Sequence, residues 1–320
     1  MLSPSRRAGG VSPLLLPKQG AHAPRSPARE EKRPVSTATY LVFGDLHGRI
    51  LPAFRLALAW AREHGERVDG LLQVGDLGYF PDPTRLDRAT QRHAARDPLE
   101  LGAADIVTLN PQADAVFGEP DLPQALWFTG GNHEDHDALE DLEHGHGSTP
   151  DDFPVDAYFR VRCVRDGRVA TLPGGLRVGA LWGIDDRAPN ARRQTPPRGR
   201  IRTRSATQLA CERFDVLLTH DSPRDAMIAG SGSKQIDAIL EMARPSFLFF
   251  GHYGSKGGRV EGDFGATQAY HLDGLELRGP GGSAEPGSVG ELRWNDGAGS
   301  FAYLEPAWLR SFTRHNWTYR

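Results

Sequence analysis

Five short apolar runs in this chain each end in a small residue followed at once by a side chain that binds metal ions. Tyr40–Phe43 runs into Gly44-Asp45-Leu46-His47, and Leu71–Val74 runs into Gly75-Asp76. Ala125–Thr129 leads to Gly130-Gly131-Asn132-His133-Glu134, Asp215–Thr219 to His220-Asp221, and Phe247–Phe250 to Gly251-His252. Short apolar runs bounded by turn residues read as buried strands. In an α/β sheet, ligands bind outside the carboxyl ends of such strands. Five ends would bring Asp45, His47, Asp76, Asn132, His220 and His252 into one cleft. Taken singly, each motif has a plain explanation: Asp-x-His caps helices, Gly-Asp makes turns, and a lone histidine usually sits in a core or on a surface. Asn132-His133-Glu134 alone could cap a helix running into Leu139. The repetition in one chain, each time at a strand end, carries the reading.

Between these runs lie helical stretches. Leu51, Phe54, Leu58 and Ala61 share one face of a helix expected over 51–64, with Pro52 tolerated in its first turn. Ile236, Ile239, Leu240 and Ala243 do the same over 233–243, which stops before Pro245. Alternation of this kind predicts an α/β fold. Segment 81–124 reads as a polar insertion with one helix near 84–96. Beyond residue 270, strands are expected at Tyr270–Leu277, Gly290–Trp294 and Phe301–Leu304. A closing helical segment, 306–320 with its helix near 306–315, would pack on a domain of residues 39–305. Residues 1–38, rich in Pro, Ser and Arg, are expected to form a disordered tail outside it.

The 320 residues suffice for a sizeable core, and 38 Lys+Arg against 41 Asp+Glu leave a net charge of −3. That balance argues against a histone-like or generally polycationic nucleic-acid binder and leaves room for a local basic patch. Cys163 and Cys211 form neither a disulfide framework nor a zinc-site spacing, so a reducing compartment is expected. No apolar run approaches the roughly 20 residues of a membrane span. The expectation is therefore a cytoplasmic protein with no membrane and no obligate protein partner. No phosphate-cradling P-loop is present. Residues 187–204 hold Arg187, Arg192, Arg193, Arg198, Arg200, Arg202 and Arg204 with no acid. This loop is either a phosphate-binding element or a solvated stretch. His136, His144 and His146 read as surface histidines, with accessory metal binding as the alternative.

Mixed carboxylate and imidazole ligands suit Mn, Fe, Zn or Ni better than Ca or Mg alone. A carboxylate can bridge two such ions about 3.5–4 Å apart, an arrangement that clamps the attacking and leaving oxygens of a phosphoryl group. Glycines beside Asp45, Asp76, Asn132 and His252 leave room for sharp turns and for substrate.

In this order the five motifs resemble the calcineurin-like metallophosphoesterase superfamily over roughly residues 39–305. The resemblance implies a four-layer sandwich of two mixed β-sheets flanked by helices, with two divalent transition metal ions between strand ends. Asp45 and His47 would hold the first ion, Asp76 would bridge, and Asn132, His220 and His252 would hold the second. His133 would be the general acid, and a metal-bound hydroxide the nucleophile. Glu134 and Asp221 would orient imidazoles. Two departures stand out. Many members end in Gly-His-x-His, and Gly254 occupies the last position, with His271 as the only downstream substitute before the terminus region. Protein phosphatases follow the bridging aspartate with Asp and Arg, where this chain has Tyr79 and Phe80, a pair that could stack on a base or lie in the core. The Gly130–Glu134 and Thr219–Pro223 motifs are also similar to those of RNA lariat debranching enzymes, which hydrolyse a 2′–5′ phosphodiester. The expected activity is hydrolysis of a phosphodiester of a nucleotide or nucleic acid, with Arg198 and Arg200 as further substrate contacts. A phosphomonoesterase, including a Ser/Thr protein phosphatase, is the alternative, and a non-catalytic metal-binding scaffold the third reading.

Overall fold

The computed structural model describes residues 37–185, 197–254, 257–277 and 281–318. Residues 1–36 of the expected tail lie outside these, as do Arg187, Arg192 and Arg193, while Ala38 already belongs to the first strand. In chain order the elements are β1 (Ala38–Phe43), α1 (Ile50–His64), β2 (Gly70–Gln73), α2 (Arg88–Ala94), α3 (Pro111–Phe117), β3 (Leu126–Phe128), α4 (His136–Gly145), β4 (Asp152–Pro154), β5 (Val161–Val164), β6 (Arg168–Thr171) and β7 (Arg177–Leu181). There follow α5 (Thr203–Ala210), β8 (Val216–Thr219), α6 (Lys234–Ala243), β9 (Phe247–Phe250), β10 (Gly258–Val260), β11 (Gln268–His271), β12 (Val289–Asn295), β13 (Ala298–Tyr303) and α7 (Pro306–Ser311).

The strands form two mixed sheets, one of seven in the order β13-β12-β1-β2-β3-β5-β4, the other of six in the order β10-β11-β9-β8-β7-β6. Their parallel centres, β1-β2-β3 and β7-β8-β9, are buried on both faces, which explains why these strands read as continuous apolar runs. Tyr40 and Val42 of β1 meet Val216, Leu218, Phe247 and Phe249 in the space between the sheets. Their neighbours Leu41 and Phe43 face outward onto Phe54, Ala57 and Leu139 of α1 and α4. On the opposite side Leu217, Leu248 and Phe250 pack on Leu209 of α5 and Ile236 and Ile239 of α6. Alternation along each strand therefore builds the four layers of helix, sheet, sheet and helix.

The 81–124 segment is more ordered than its polarity suggested. The helix expected near 84–96 is present as α2, and a further helix, α3, follows it, each started by an Asx cap, Asp87 for α2 and Asn110 for α3. The segment is fastened to the domain by Arg49, whose buried guanidinium donates to Asp97 (2.7 Å) and Glu100 (2.8 Å). The strand expected over Tyr270–Leu277 ends at His271, because the chain beyond it bonds elsewhere: the Leu275 amide donates to the Asp45 carbonyl at 2.8 Å. The closing helix stops at Ser311, and Leu309, Phe312 and Trp317 join the core against the first sheet.

Candidate metal centre and the cleft beside it

β1, β2 and β3 are parallel neighbours in one sheet, and β8 and β9 in the other, so their carboxyl ends open on one side of the sandwich. The turns that follow are strained. Asp76, His47 and His252, none of them glycine, have φ of 51°, 42° and 72°. Such left-handed backbone at side chains of this kind is characteristic of functional sites. Close packing holds it in place, since a Cβ at Gly131 would stand 2.1 Å from Asp76 Oδ1, and one at Gly251 would stand 2.2 Å from Asp45 Oδ1.

Asp45, His47 and Asp76 each offer a ligand atom within 4.8 Å of the others. Asp76 Oδ2 lies 3.1 Å from His220 Nε2, and the rings of His220 and His252 are 5.0 Å apart. His220 Nδ1 also lies 3.9 Å from Asp45 Oδ1, and the His252 amide donates to that oxygen at 3.3 Å, so Asp45, His47, Asp76, His220 and His252 form one cluster. One atom here shows that the residues fit metal ions: Asn132 Oδ1 is buried without a hydrogen-bond partner. Orphaned acceptors of this kind are costly unless something electropositive meets them. His220 Nδ1 lies 3.2 Å from the Val74 carbonyl; burial opposes its charged form, but Asp76 and Asp45 outweigh it and raise the pKa to about 9, so an ion at Nε2 would take the place of a proton that faces Asp76. Burial pushes the His47 imidazole down, towards the neutral form that binds metals. For Asp76, burial works against the charge, but His220 and His133 hold its carboxyl below the ordinary range.

His133 stands at the rim. Its amide donates to Asp76 Oδ1 at 2.8 Å, and its Nδ1 lies 2.6 Å from Asp87 Oδ2. Burial opposes the charged ring, yet Asp76 and the hydrogen-bonded Asp87 outweigh it and raise its pKa to about 9. Near neutral pH the imidazole therefore carries a proton it can give away. A cleft of ≈ 230 Å³ opens over Asp45, His47, Asp76 and His252. A larger one of ≈ 940 Å³ begins at Asn132 and His133 and runs along α2 to Arg198. The two share His133 and Ala89.

Several sequence expectations change. Glu134 orients no imidazole: its carboxylate is turned inward and accepts from the amides of Leu77 (2.8 Å), Tyr79 (2.6 Å) and Gly131 (3.4 Å). Burial and the nearby Asp76 push its pKa up to about 8. Asp221 likewise accepts from the amides of Asp185 and Ser222 and from the Tyr253 hydroxyl, so it braces loops. Tyr79 is core, 2 % exposed with its hydroxyl donating to the Val155 carbonyl, whereas Phe80, equally little exposed, lines the larger cleft. His271 is buried against Phe250 and Tyr253, away from the residues that line the metal cleft. Arg198 reaches the larger cleft but is paired with Asp137 and Glu140, and Arg200 is fixed through a backbone bridge to Ile184. His136 is no surface histidine: it is buried, with Nε2 3.0 Å from the Gly131 carbonyl. Sequence reasoning missed Asp87, and also Thr90, His93 and Glu276, which line the metal cleft. The cap signature of Asp87 was the one signal available.

The family model described as calcineurin-like phosphoesterase matches residues 38–254, a span that includes all five ligand-bearing strand ends. The chain belongs to the calcineurin-like phosphoesterases. It is also similar to solved structures at low identity. One, a protein of Thermus thermophilus, is 13 % identical with a TM-score of 0.44, covering 84 % of this chain and 100 % of that one. Another is a predicted phosphoesterase of Streptococcus pneumoniae (12 %, TM-score 0.34, covering 84 % and 90 %). A third is a 5′-nucleotidase of Candida albicans (13 %, TM-score 0.43, covering 88 % and 53 %). No curated protein matches by sequence. Like its family, this phosphoesterase has a donor set suited to divalent metals, and among its described residues no helix is long and apolar enough to cross a membrane.

Proposed function

We propose that this phosphoesterase hydrolyses a phosphodiester, of a nucleotide or nucleic acid, with His133 as general acid. Asp45 and His47 would hold one divalent transition metal ion, Asn132, His220 and His252 the other, and Asp76 would serve both. When bound, the ions supply Lewis acidity to the phosphoryl oxygens and lower the pKa of water towards neutrality. The protein's own part is to position and to protonate. Asp76 holds the His133 amide, which fixes the imidazole over the metal cleft, and Asp87 holds the opposite ring nitrogen. His133 Nε2 is thereby left to give its proton to the departing oxygen.

The observation that carries the diester reading is the ≈ 940 Å³ cleft that opens beyond His133. The alcohol on the acid's side is the leaving group of a monoester and of a diester alike, and what this space favours is a large one, such as the nucleoside or strand of a nucleic-acid diester. The Asp and Arg that protein phosphatases carry after this aspartate are absent here, while Asp87 contributes a carboxylate to His133 Nδ1 from another part of the chain.

The test is hydrolysis of matched aryl phosphate monoester and diester by metal-stripped protein refilled with Mn²⁺, with Asp76→Asn as control for contamination. Faster turnover of the diester, lost in the variant, supports the proposal. Faster turnover of the monoester overturns the diester assignment, and no turnover of either returns the scaffold reading.

A further inference from the structure

α2 separates the two clefts, and its faces differ. Thr90 and His93 line the smaller cleft beside Asp45 and His47. Arg88, Gln91 and Arg92, one turn apart on the opposite face, line the larger. Most charges there are matched locally. Arg85 forks onto Asp135 at 2.7 and 2.8 Å, Arg198 pairs with Asp137, and Asp87 holds His133. Among the described residues Arg88 and Arg92 meet no carboxylate, and Arg92 Nε donates only to the Arg88 carbonyl, at 3.1 Å. Two like charges four residues apart destabilise a helix slightly. An anion held between them reverses that cost, and guanidinium groups bind phosphate through forked, charge-assisted hydrogen bonds.

The position of the acid gives the site a direction. A general acid must come within about 2.6–3.2 Å of the oxygen it protonates. His133 lies where the clefts meet, so a phosphoryl group over Asp45, His47 and Asp76 sends its leaving alcohol past His133 and along α2. We propose that α2 is the leaving-group recognition element, and that Arg88 and Arg92, with Gln91 between them, bind a second phosphate carried by the leaving alcohol. The favoured substrate is then a phosphodiester whose leaving side is itself phosphorylated, as in a nucleic-acid strand. This rests on the diester reading above and names which end of the diester the enzyme inspects.

The experiment compares two aryl methyl phosphodiesters that differ only in carrying a phosphonate on the aryl leaving group or on the retained methyl side. In the Mn²⁺-loaded full chain, Arg88→Ala/Arg92→Ala should lower the ratio of kcat/KM for the first over the second by about tenfold, the worth of one charge-assisted hydrogen bond. Both positions are exposed, so the melting temperature serves as the folding control. An unchanged ratio overturns the proposal. A second readout does not depend on turnover: anisotropy of a labelled phosphorothioate thymidine hexamer titrated with the protein at several salt concentrations. Removing the one phosphate held by the two arginines should flatten the slope of log K against log salt by about 0.7. An unaltered slope overturns the proposal even where no ester is hydrolysed, the outcome that would instead defeat the hydrolase reading.

Discussion

The Nδ1 of His133 lies 2.6 Å from Oδ2 of Asp87, a residue 46 positions earlier whose other oxygen caps α2 through the amides of Ala89 and Thr90 at 2.7 Å. One carboxylate thus ties the proposed acid to the first turn of the helix that walls the cleft. Asp87→Asn keeps a capping oxygen but removes the charge that faces the imidazole. The expected result is a fall in kcat of about 10- to 100-fold, typical of residues that orient a catalytic or liganding group. Metal content and melting temperature should stay close to wild type. Kinetics alongside elemental analysis decide it: a loss of metal, or a change confined to KM, removes Asp87 from the positioning role.

Glu134 does different work from the histidine beside it. Its buried carboxylate is the acceptor for the amides of Leu77 and Tyr79, which follow Asp76, and more weakly for that of Gly131, which precedes Asn132. Glu134→Ala leaves these donors buried, at about 1–3 kcal/mol for each one unsatisfied. Denaturant titration should show lower stability for Glu134→Ala, with Glu134→Gln intermediate because its amide oxygen can still accept. Full stability in Glu134→Ala, with only the rate altered, would instead place this side chain in the chemistry.

The contrast between Asp87 and Glu134 marks what could be read in the sequence. Every proposed metal ligand stands within a few residues of a strand end, so a local pattern locates Asp45, His47, Asp76, Asn132, His220 and His252. The central strands were legible because they are buried on both faces and contain little but apolar residues. β4 to β7 were not singled out, being short and interleaved with charged residues such as Arg162, Arg165 and Arg168. Adjacency misled at Glu134 and Asp221, since a side chain next to a histidine in an irregular turn points elsewhere, here at backbone amides. The Asp87–His133 contact depends on how a short capped helix folds back over the sheet, which no local spacing encodes. The arginines of the 198–202 stretch looked free in sequence, yet Arg198 and Arg202 are matched by Glu140 of α4.

Gly131 tests whether close packing shapes the metal centre. An added Cβ would stand 2.1 Å from Asp76 Oδ1 and 2.2 Å from the Asp76 amide nitrogen. Real Cβ atoms do not approach so closely, so Gly131→Ala must displace the aspartate proposed to serve both ions. The predicted outcome is loss of bound metal and of activity, with the circular dichroism of the sheets retained. Wild-type metal stoichiometry in the variant would show that the 75–77 turn yields without cost.

The resemblance in sequence sets Gly254 at the position of a histidine that would complete the first metal's shell. Nothing lies within 4 Å of a Cβ built there, and its φ is not in the left-handed region, so a side chain enters without strain. The residue already lines the cleft with Asp45, His47 and His252. Gly254→His should therefore fold with an unchanged melting temperature. If the first ion relies on solvent for its remaining coordination, the new imidazole should tighten one of two Mn²⁺ binding steps in a calorimetric titration by about tenfold, or ~1.4 kcal/mol. The second step should not move, because the proposal gives the second ion to Asn132, His220 and His252, which the substitution leaves in place. Identical isotherms for wild type and variant would mean that another group already fills that position, and Glu276, on the same cleft wall, would be the residue to replace next.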